Sequence, residues 1–362
     1  MPSLALRGIT KRFGAIWAVR QVDCAAADGE LLVLLGPSGS GKSTLLMLIA
    51  GLHAPTSGRV FLGDRDVTRL PPHARNVAMM FQDAALYPHM TVRANLAFGL
   101  EARGASRRDA AQRAADTAAA LDLAAVLDRR PGELSGGERR RAALGRALAA
   151  APGLLLLDEP LSHIDPALQL RIREEILAAR RALGVTTVYV THDHAEAMAL
   201  GDRIAVIHDG RVLQIATPAS LYAAPCHALV ARAVGSPPMN LFAAAATLVS
   251  GCLELRAARQ KFALSAPPCA GTGTAEVLVG LRPEALRPAP APGRIRGRIL
   301  RVQRLGRETL ATVDAGLPEP LRVLAAADAA LAAGAPLALD FKDADAHLFD
   351  AADGRRIARP AS

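Results

Sequence analysis

The run Gly36-Pro37-Ser38-Gly39-Ser40-Gly41-Lys42-Ser43-Thr44 satisfies the spacing G-x-x-x-x-G-K-[ST]. Glycines at these places let backbone N–H groups turn inward around phosphate oxygens, and a following helix N-terminus adds its dipole. Lys42 is placed to reach the β- and γ-phosphates of a nucleotide, and the Ser43 hydroxyl to ligate Mg²⁺. Further along, Leu154-Leu155-Leu156-Leu157-Asp158-Glu159 delivers two carboxylates to the end of an apolar run. Asp158 is expected to hold Mg²⁺, usually through water, and Glu159 to polarise the attacking water as general base. Such a base is worth about 10²–10⁴-fold in rate. The chemistry indicated is hydrolysis of a nucleoside triphosphate.

A second anion-binding candidate is Leu134-Ser135-Gly136-Gly137-Glu138, which opens a helical pattern through Arg141, Leu144 and Leu148. Two glycines at a helix start expose N–H groups suited to another anion. One γ-phosphate cannot be gripped fully by two loops so differently placed in one subunit. A dimer in which each nucleotide is sandwiched between the phosphate loop of one copy and this loop of the other is the economical arrangement.

Elements must position these groups. Glu30 to Leu35 is a short continuous apolar run, as a strand buried on both faces requires, and Leu45, Leu46, Leu48, Ile49 and Leu52 then recur at helical spacing with Gly51 near the end. Leu154 to Leu157 and Thr186 to Val190 read as two more buried strands. Alternating strands and helices imply a mainly parallel α/β sheet. From about Tyr87 to Ala150 helical signals take over, with Ser106 as an N-cap and Asp109 three places on. Beyond Gly235, Pro237-Pro238, Pro267-Pro268 and the Pro283 to Pro292 region punctuate short stretches at Ala275–Val279, Arg298–Val302 and Thr309–Val313. These suggest a small all-β domain of barrel type, in which alanine runs are strand rather than helix.

Composition narrows the class. Of 362 residues 51% are hydrophobic, which excludes a disordered chain, yet only 3% are aromatic: one Trp, three Tyr and eight Phe. The most apolar uncharged stretch, around Leu241 to Leu253, is shorter than the roughly 18–20 residues of a spanning helix. No apolar core follows the N-terminal basic residues, so no secretory signal is expected. Cys24, Cys226, Cys252 and Cys269 form no CxxC pair and are expected to be buried reduced thiols. The net charge of +9 is spread over both halves without a basic arm, so no nucleic-acid partner is expected.

With these motifs in order, the chain resembles the nucleotide-binding subunits of ATP-binding cassette (ABC) transporters. The resemblance implies an α/β P-loop NTPase domain over residues 1–236, with a helical subdomain at about 87–150, and a β-rich, oligonucleotide-fold-like (TOBE-type) regulatory domain over 237–362. It implies that Phe13 stacks on adenine, that Gln82 touches Mg²⁺ and water and senses the membrane partner, and that His192 contacts the γ-phosphate as a switch. It matches Ser162-His163-Ile164-Asp165 to the loop that crosses the dimer interface. ATP and Mg²⁺ are the implied cofactors. Two departures stand out: Glu138 where glutamine is usual, and His163 where asparagine or alanine is commoner.

Ala85 to Val92 is similar to the segment by which importer ATPases receive a membrane subunit. Gly235-Ser236-Pro237-Pro238-Met239-Asn240, Gly280 to Glu284 and His347 to Asp350 resemble landmarks of carbohydrate importers of the maltose and sn-glycerol-3-phosphate type. The implied partners are a second copy, two membrane permease subunits, indirectly an extracytoplasmic solute-binding protein, and a regulatory protein on the C-terminal domain. The implied place is the cytoplasmic face of the inner membrane. An importer of polyamine, ferric iron or an oxyanion shares the layout. A soluble repair or translation ATPase fits less well, because no long coiled coil separates Lys42 from Ser135 and there is one cassette.

Overall fold

The computed structural model describes residues 2–83, 85–162, 166–265 and 274–357, without the side chains of 166–168, 179, 182 and 183. His163-Ile164-Asp165, Pro267-Pro268 and Cys269 lie outside the described residues. The chain divides into two compact units, Met1–Pro218 and Ala219–Ser362.

In the first unit, β1 (Leu4–Phe13) and β2 (Ile16–Ala26) form a hairpin, followed by β3 (Leu31–Leu35) and α1 (Lys42–Ala50). Then come β4 (Ser57–Leu62), β5 (Arg65–Asp66), β6 (Val77–Met80), α2 (Val92–Glu101), α3 (Arg107–Ala120) and α4 (Gly136–Ala149). The unit ends with β7 (Leu154–Asp158), α5 (Pro166–Leu183), β8 (Thr186–Thr191), α6 (His194–Leu200), β9 (Arg203–His208) and β10 (Arg211–Ala216). The central sheet has the order β10-β9-β3-β8-β7-β6, parallel except for the edge strand β10. Strands β3, β7 and β8 are buried along their whole length, as their unbroken apolar runs require in a sheet covered on both faces.

Helix α1 ends where Gly51 adopts φ 81°, and a Cβ there would meet the Arg75 guanidinium. That guanidinium is itself buried and donates to the Leu48 and Ile49 carbonyls, satisfying groups that the helix end leaves open. Ser106 caps α3 by accepting the Asp109 N–H, as its spacing predicts.

A second sheet, β2-β1-β4-β5, is antiparallel and has no forerunner in the periodicity reading. Its register slips between Leu6 and Ile9, Ile9 and Lys11, and Lys11 and Arg12, and these bulges break the period-2 alternation by which a strand is read. Its buried face, including Leu4, Leu6, Ile9, Val22 and Val60, joins α1 and the central sheet in one core.

The second unit continues from α7 (Pro218–Ala223) through α8 (Ala228–Ala233) into strands β11 (Asn240–Val249), β12 (Cys252–Ala257), β13 (Gln260–Ser265), β14 (Thr274–Leu281) and β15 (Arg287–Ala289). It ends with β16 (Ile295–Arg304), β17 (Glu308–Asp314), β18 (Leu321–Ala326), β19 (Pro336–Asp340) and β20 (Ala346–Asp350). The three stretches expected to be strands lie in β14, β16 and β17, and the alanine run Ala243–Ala246 is in β11. Among the described residues the strands form two antiparallel five-stranded sheets, β13-β12-β11-β14-β20 and β15-β19-β16-β17-β18, where one barrel was expected. Strands such as β13 and β17 bury alternate residues, so each sheet has one apolar face, and the two faces share a core containing Leu255, Phe262, Val279, Ile299 and Val313.

The expectation of buried thiols fails at two of the three described cysteines. Cys24 is buried, and burial raises its pKa to about 12, but Cys226 and Cys252 are exposed. Cys252 opens β12 directly after the turn at Ser250 and Gly251, and Cys226 lies in the connection ahead of α8, so neither position has core to enter. Among the described residues no helix is long and apolar enough to cross a membrane, and the Leu241–Leu253 stretch is divided between β11 and β12.

Candidate nucleotide site

The phosphate-loop candidate leaves the end of β3 and enters α1, and at Gly36 and Gly41 it leaves no room for a side chain. A Cβ on Gly36 would lie 2.1 Å from the Ile207 carbonyl oxygen, and one on Gly41, at φ 100°, 2.2 Å from the Ala18 carbonyl oxygen. Strand β2 therefore presses against the loop through Ala18. Gly39 has φ 80° with open space around it, so there the backbone conformation alone calls for glycine. Ser40 donates its N–H to Pro37 and accepts from Gly210, while its buried Oγ has no hydrogen-bond partner among the described residues.

Lys42 is only 4% exposed, and its Nζ donates to the carbonyls of Gly36 and Pro37 at 2.9 and 2.8 Å. Burial pulls its pKa below the ordinary lysine value, against the opposing influence of Glu159 and Asp158. The ammonium thus rests on its own loop, and a phosphate entering the loop offers it a charged acceptor in place of two neutral carbonyls.

At the tip of β7, Asp158 is buried and accepts the Ser43 hydroxyl at 3.0 Å. Burial raises its pKa, the Ser43 hydrogen bond opposes that, and the charge of Glu159 adds to it. Ser43, Gln82 and Asp158 line one cavity of about 400 Å³ with Arg140 and Ser162. These hard oxygen donors fit Mg²⁺, which takes one or two protein ligands and completes its shell with waters and phosphate oxygens. Thr44 follows on α1.

Glu159 has the left-handed backbone φ of 45°, a conformation that costs a non-glycine residue about 1–3 kcal/mol and is often held at functional sites. Its N–H donates to Val190 on the neighbouring strand, and its carbonyl accepts both the N–H and the Oγ of Ser162. The carboxylate is engaged on both oxygens: His192 Nδ1 is 3.1 Å from Oε1, and Gln82 Nε2 is 3.4 Å from Oε2. Strands β7 and β8 are adjacent and parallel, which is why their C-terminal ends bring Glu159 and His192 together.

Ser135 caps α4, accepting the Glu138 N–H, while Glu138 Oε2 receives the Ser135 N–H at 2.7 Å and its hydroxyl at 2.8 Å. Those hydrogen bonds lower the Glu138 pKa. The departure from glutamine therefore puts a carboxylate on Ser135, the first polar residue of the second anion-binding candidate; Gly136 and Gly137 form the first turn. Phe13, 44% exposed at the hairpin tip, packs its ring edge-on against His53 and carries the Lys11 ammonium 4.8 Å from its centroid.

Hydrogen bonds and cavities thus bring together Ser43, Gln82, Asp158, Glu159 and His192, while Lys42, the neighbour of Ser43 on α1, is bonded to its own loop. Among the described residues no such contact joins Phe13 or Ser135–Gly137 to this group. Arg140 belongs to the cluster but was not singled out from the sequence, because it lies inside the run Arg139-Arg140-Arg141 and nothing in its type distinguishes it. Tyr87 packs on Phe98 at 4.8 Å, and the buried Asn95 donates to the carbonyls of Tyr87, Met90 and Thr91, which fixes the loop ahead of α2.

Comparison with known proteins adds to this geometry. The profile of the ABC transporter family matches residues 19–162, and that of the TOBE domain residues 279–349. The chain is 41% identical to the sn-glycerol-3-phosphate import ATP-binding protein of Cupriavidus pinatubonensis over 99% of its own length and 100% of the relative's. It is 42% identical to the protein of the same name from Ruegeria pomeroyi, with the same coverage. Among solved structures, an ATP-binding cassette of an ABC transporter superposes with a TM-score of 0.56 at 28% identity, over 62% of this chain and 96% of that one. A cassette dimer in a post-hydrolysis state, bound to ADP and Pi, gives a TM-score of 0.54 at 31% identity, over 59% and 98%.

Proposed function

The chain belongs to the ATP-binding subunits of ABC transporters, and from that premise we propose that it hydrolyses ATP to drive uptake of sn-glycerol 3-phosphate or a related carbohydrate solute. The observation that carries the catalytic part is the convergence of Ser43, Gln82, Asp158, Glu159 and His192 beside a glycine-lined loop. The names of the full-length relatives support the solute class over polyamine, ferric iron or an oxyanion, and over a soluble ATPase without a transport role.

In this reading Lys42 exchanges its loop carbonyls for β- and γ-phosphate oxygens, and the N–H groups of Gly39 to Thr44 and the Ser40 hydroxyl meet the remaining phosphate oxygens. Ser43, Asp158 and Gln82 hold Mg²⁺, which supplies positive charge against the developing charge on the phosphoryl group. Glu159 takes the proton of the attacking water. His192 and Gln82, each beside one Glu159 oxygen, orient that carboxylate and are replaced there by water and phosphate as the site fills. Phe13 stacks on the adenine.

Two copies enclose two nucleotides, each completed by Ser135, Gly136 and Gly137 of the partner copy. Closure acts on two permease subunits through the surface from Gln82 to Phe98, which places the subunit peripherally on the cytoplasmic face of the membrane. An extracytoplasmic binding protein delivers the solute. The β-rich unit, read as a regulatory domain over 237–362, receives a regulatory protein.

Reconstitution with permease subunits and a solute-binding protein of a sn-glycerol-3-phosphate or sugar importer tests this reading. ATP-dependent uptake of labelled sn-glycerol 3-phosphate or a sugar into vesicles is expected. Uptake of neither, with a polyamine or oxyanion carried instead, overturns the solute class. Saturable solute binding to the isolated chain contradicts its role as a motor.

A further inference from the structure

Arg140 lies one turn into α4, the helix capped by Ser135 and opened by Gly136-Gly137, and lines the cavity of Ser43 and Asp158. Its Nη2 donates to the backbone carbonyl of Gln82 at 3.0 Å, and its Nη1 donates to the backbone carbonyl of Ser162. A closed circuit results. Arg140 holds the Gln82 backbone, the Gln82 amide lies against Glu159 Oε2, the Glu159 carbonyl is held by Ser162, and the Ser162 carbonyl returns to Arg140. The guanidinium is half-buried, and burial lowers its pKa. Among the described residues its two bonding partners are carbonyls rather than a carboxylate, so its charge is spent on positioning backbone.

From this circuit we infer that Arg140 is a positioning residue that sets the spacing of Gln82 and Glu159. The turn from Glu159 to Ser162 keeps Glu159 in its left-handed backbone conformation, and Arg140 fastens the far end of that turn to the loop that carries Gln82. A planar guanidinium has donors diverging at fixed angles and can hold two carbonyls at once. A lysine ammonium is a point donor on a flexible stem and holds such a pair poorly. Because Arg140 stands on α4, any rotation of that helix moves Gln82 and Glu159 together. The loop that senses the membrane partner and the carboxylate that activates water are thereby linked through one side chain. A second contact steadies the same turn: Gln169 Nε2 donates to the Leu161 carbonyl at 3.1 Å.

The inference rests on the ATPase reading, and the test separates the two. Steady-state phosphate release is measured for the full chain and for Arg140→Ala and Arg140→Lys, together with KM for ATP and thermal unfolding. Arg140→Ala is expected to lower kcat about 10- to 100-fold, the scale for a misplaced catalytic group, with KM and Tm essentially unchanged. Arg140→Lys retains an intermediate rate. An unchanged kcat in Arg140→Ala overturns the inference and leaves the ATPase reading intact. A kcat loss accompanied by parallel changes in KM and Tm also overturns it, since that pattern marks a general loss of fold. A wild-type chain without turnover overturns the ATPase reading and this inference with it.

Discussion

The Ser43 hydroxyl on the first turn of α1 donates to Asp158 Oδ1 at the end of β7, at 3.0 Å. This bond joins the phosphate loop to the strand that carries both carboxylates, and both of its atoms are candidate Mg²⁺ ligands. If they share the ion, Ser43→Ala lowers affinity for the metal-bound nucleotide by about 10- to 100-fold, the scale on which metal-site partners act. Calorimetric titration with MgATP, and with ATP in EDTA, measures this. A loss of equal size without the metal contradicts the assignment.

The carboxylate of Glu138 accepts both the N–H and the hydroxyl of Ser135. In a sandwich dimer this places negative charge next to the partner copy's γ-phosphate. Glu138→Gln keeps an acceptor for the cap and removes the charge. The ATP concentration needed for dimer formation is expected to fall about two- to fivefold, from the 0.3–1 kcal/mol typical of a charge at a helix N-terminus. Sedimentation velocity across an ATP series decides it, and an unchanged or higher requirement goes against the prediction.

Gly39 and Gly41 contrast two reasons for glycine. Both have positive φ, but only Gly41 also lacks space, with Ala18 O where a Cβ would stand. Gly39→Ala is expected to cost about 1–2 kcal/mol of backbone strain and keep its nucleotide affinity. Gly41→Ala must move β2 off the loop and is expected to lose nucleotide binding. Equal effects in denaturant unfolding and ATP titration count against this distinction.

The second unit carries an acid-sensitive contact. Burial would raise the Asp343 pKa, but the Ser265 N–H and hydroxyl and the Arg294 guanidinium outweigh it and hold the pKa at about 2. The folded value lies below the unfolded value of about 3.8, so the unfolded chain binds more protons in that window. The stabilisation is complete above the unfolded value and is lost as pH falls from about 3.8 toward about 2. Circular dichroism of Asp343→Asn should show weaker dependence on pH in this range. A slope equal to that of the wild type contradicts the contact.

Much of the site was legible because its chemistry depends on residue types at fixed separations. Gly36 to Thr44 and Asp158-Glu159 announce themselves in this way, and the buried strands β3, β7 and β8 are continuous apolar runs. The positive φ of Glu159 was not legible, since it arises from a turn closed by Ser162 and from pairing with Val190 across strands. Arg140 was hidden for the same reason: its partners are backbone carbonyls distant in sequence, which no residue type marks. The β1–β2 hairpin was obscured by bulges that shift its alternation. The capping bond between Ser135 and Glu138 went unread, because the two glycines after Ser135 pointed to an anion site rather than to a cap.

In the proposed function Glu159 activates the attacking water. Phosphate release by Glu159→Gln, measured beside ATP binding, tests it most directly. Turnover is expected to fall by about 10²-fold or more, as loss of a general base entails, while ATP binding persists and the variant accumulates as a nucleotide-bound dimer. Turnover near the wild-type rate, or a protein that stays monomeric at saturating MgATP, would contradict it.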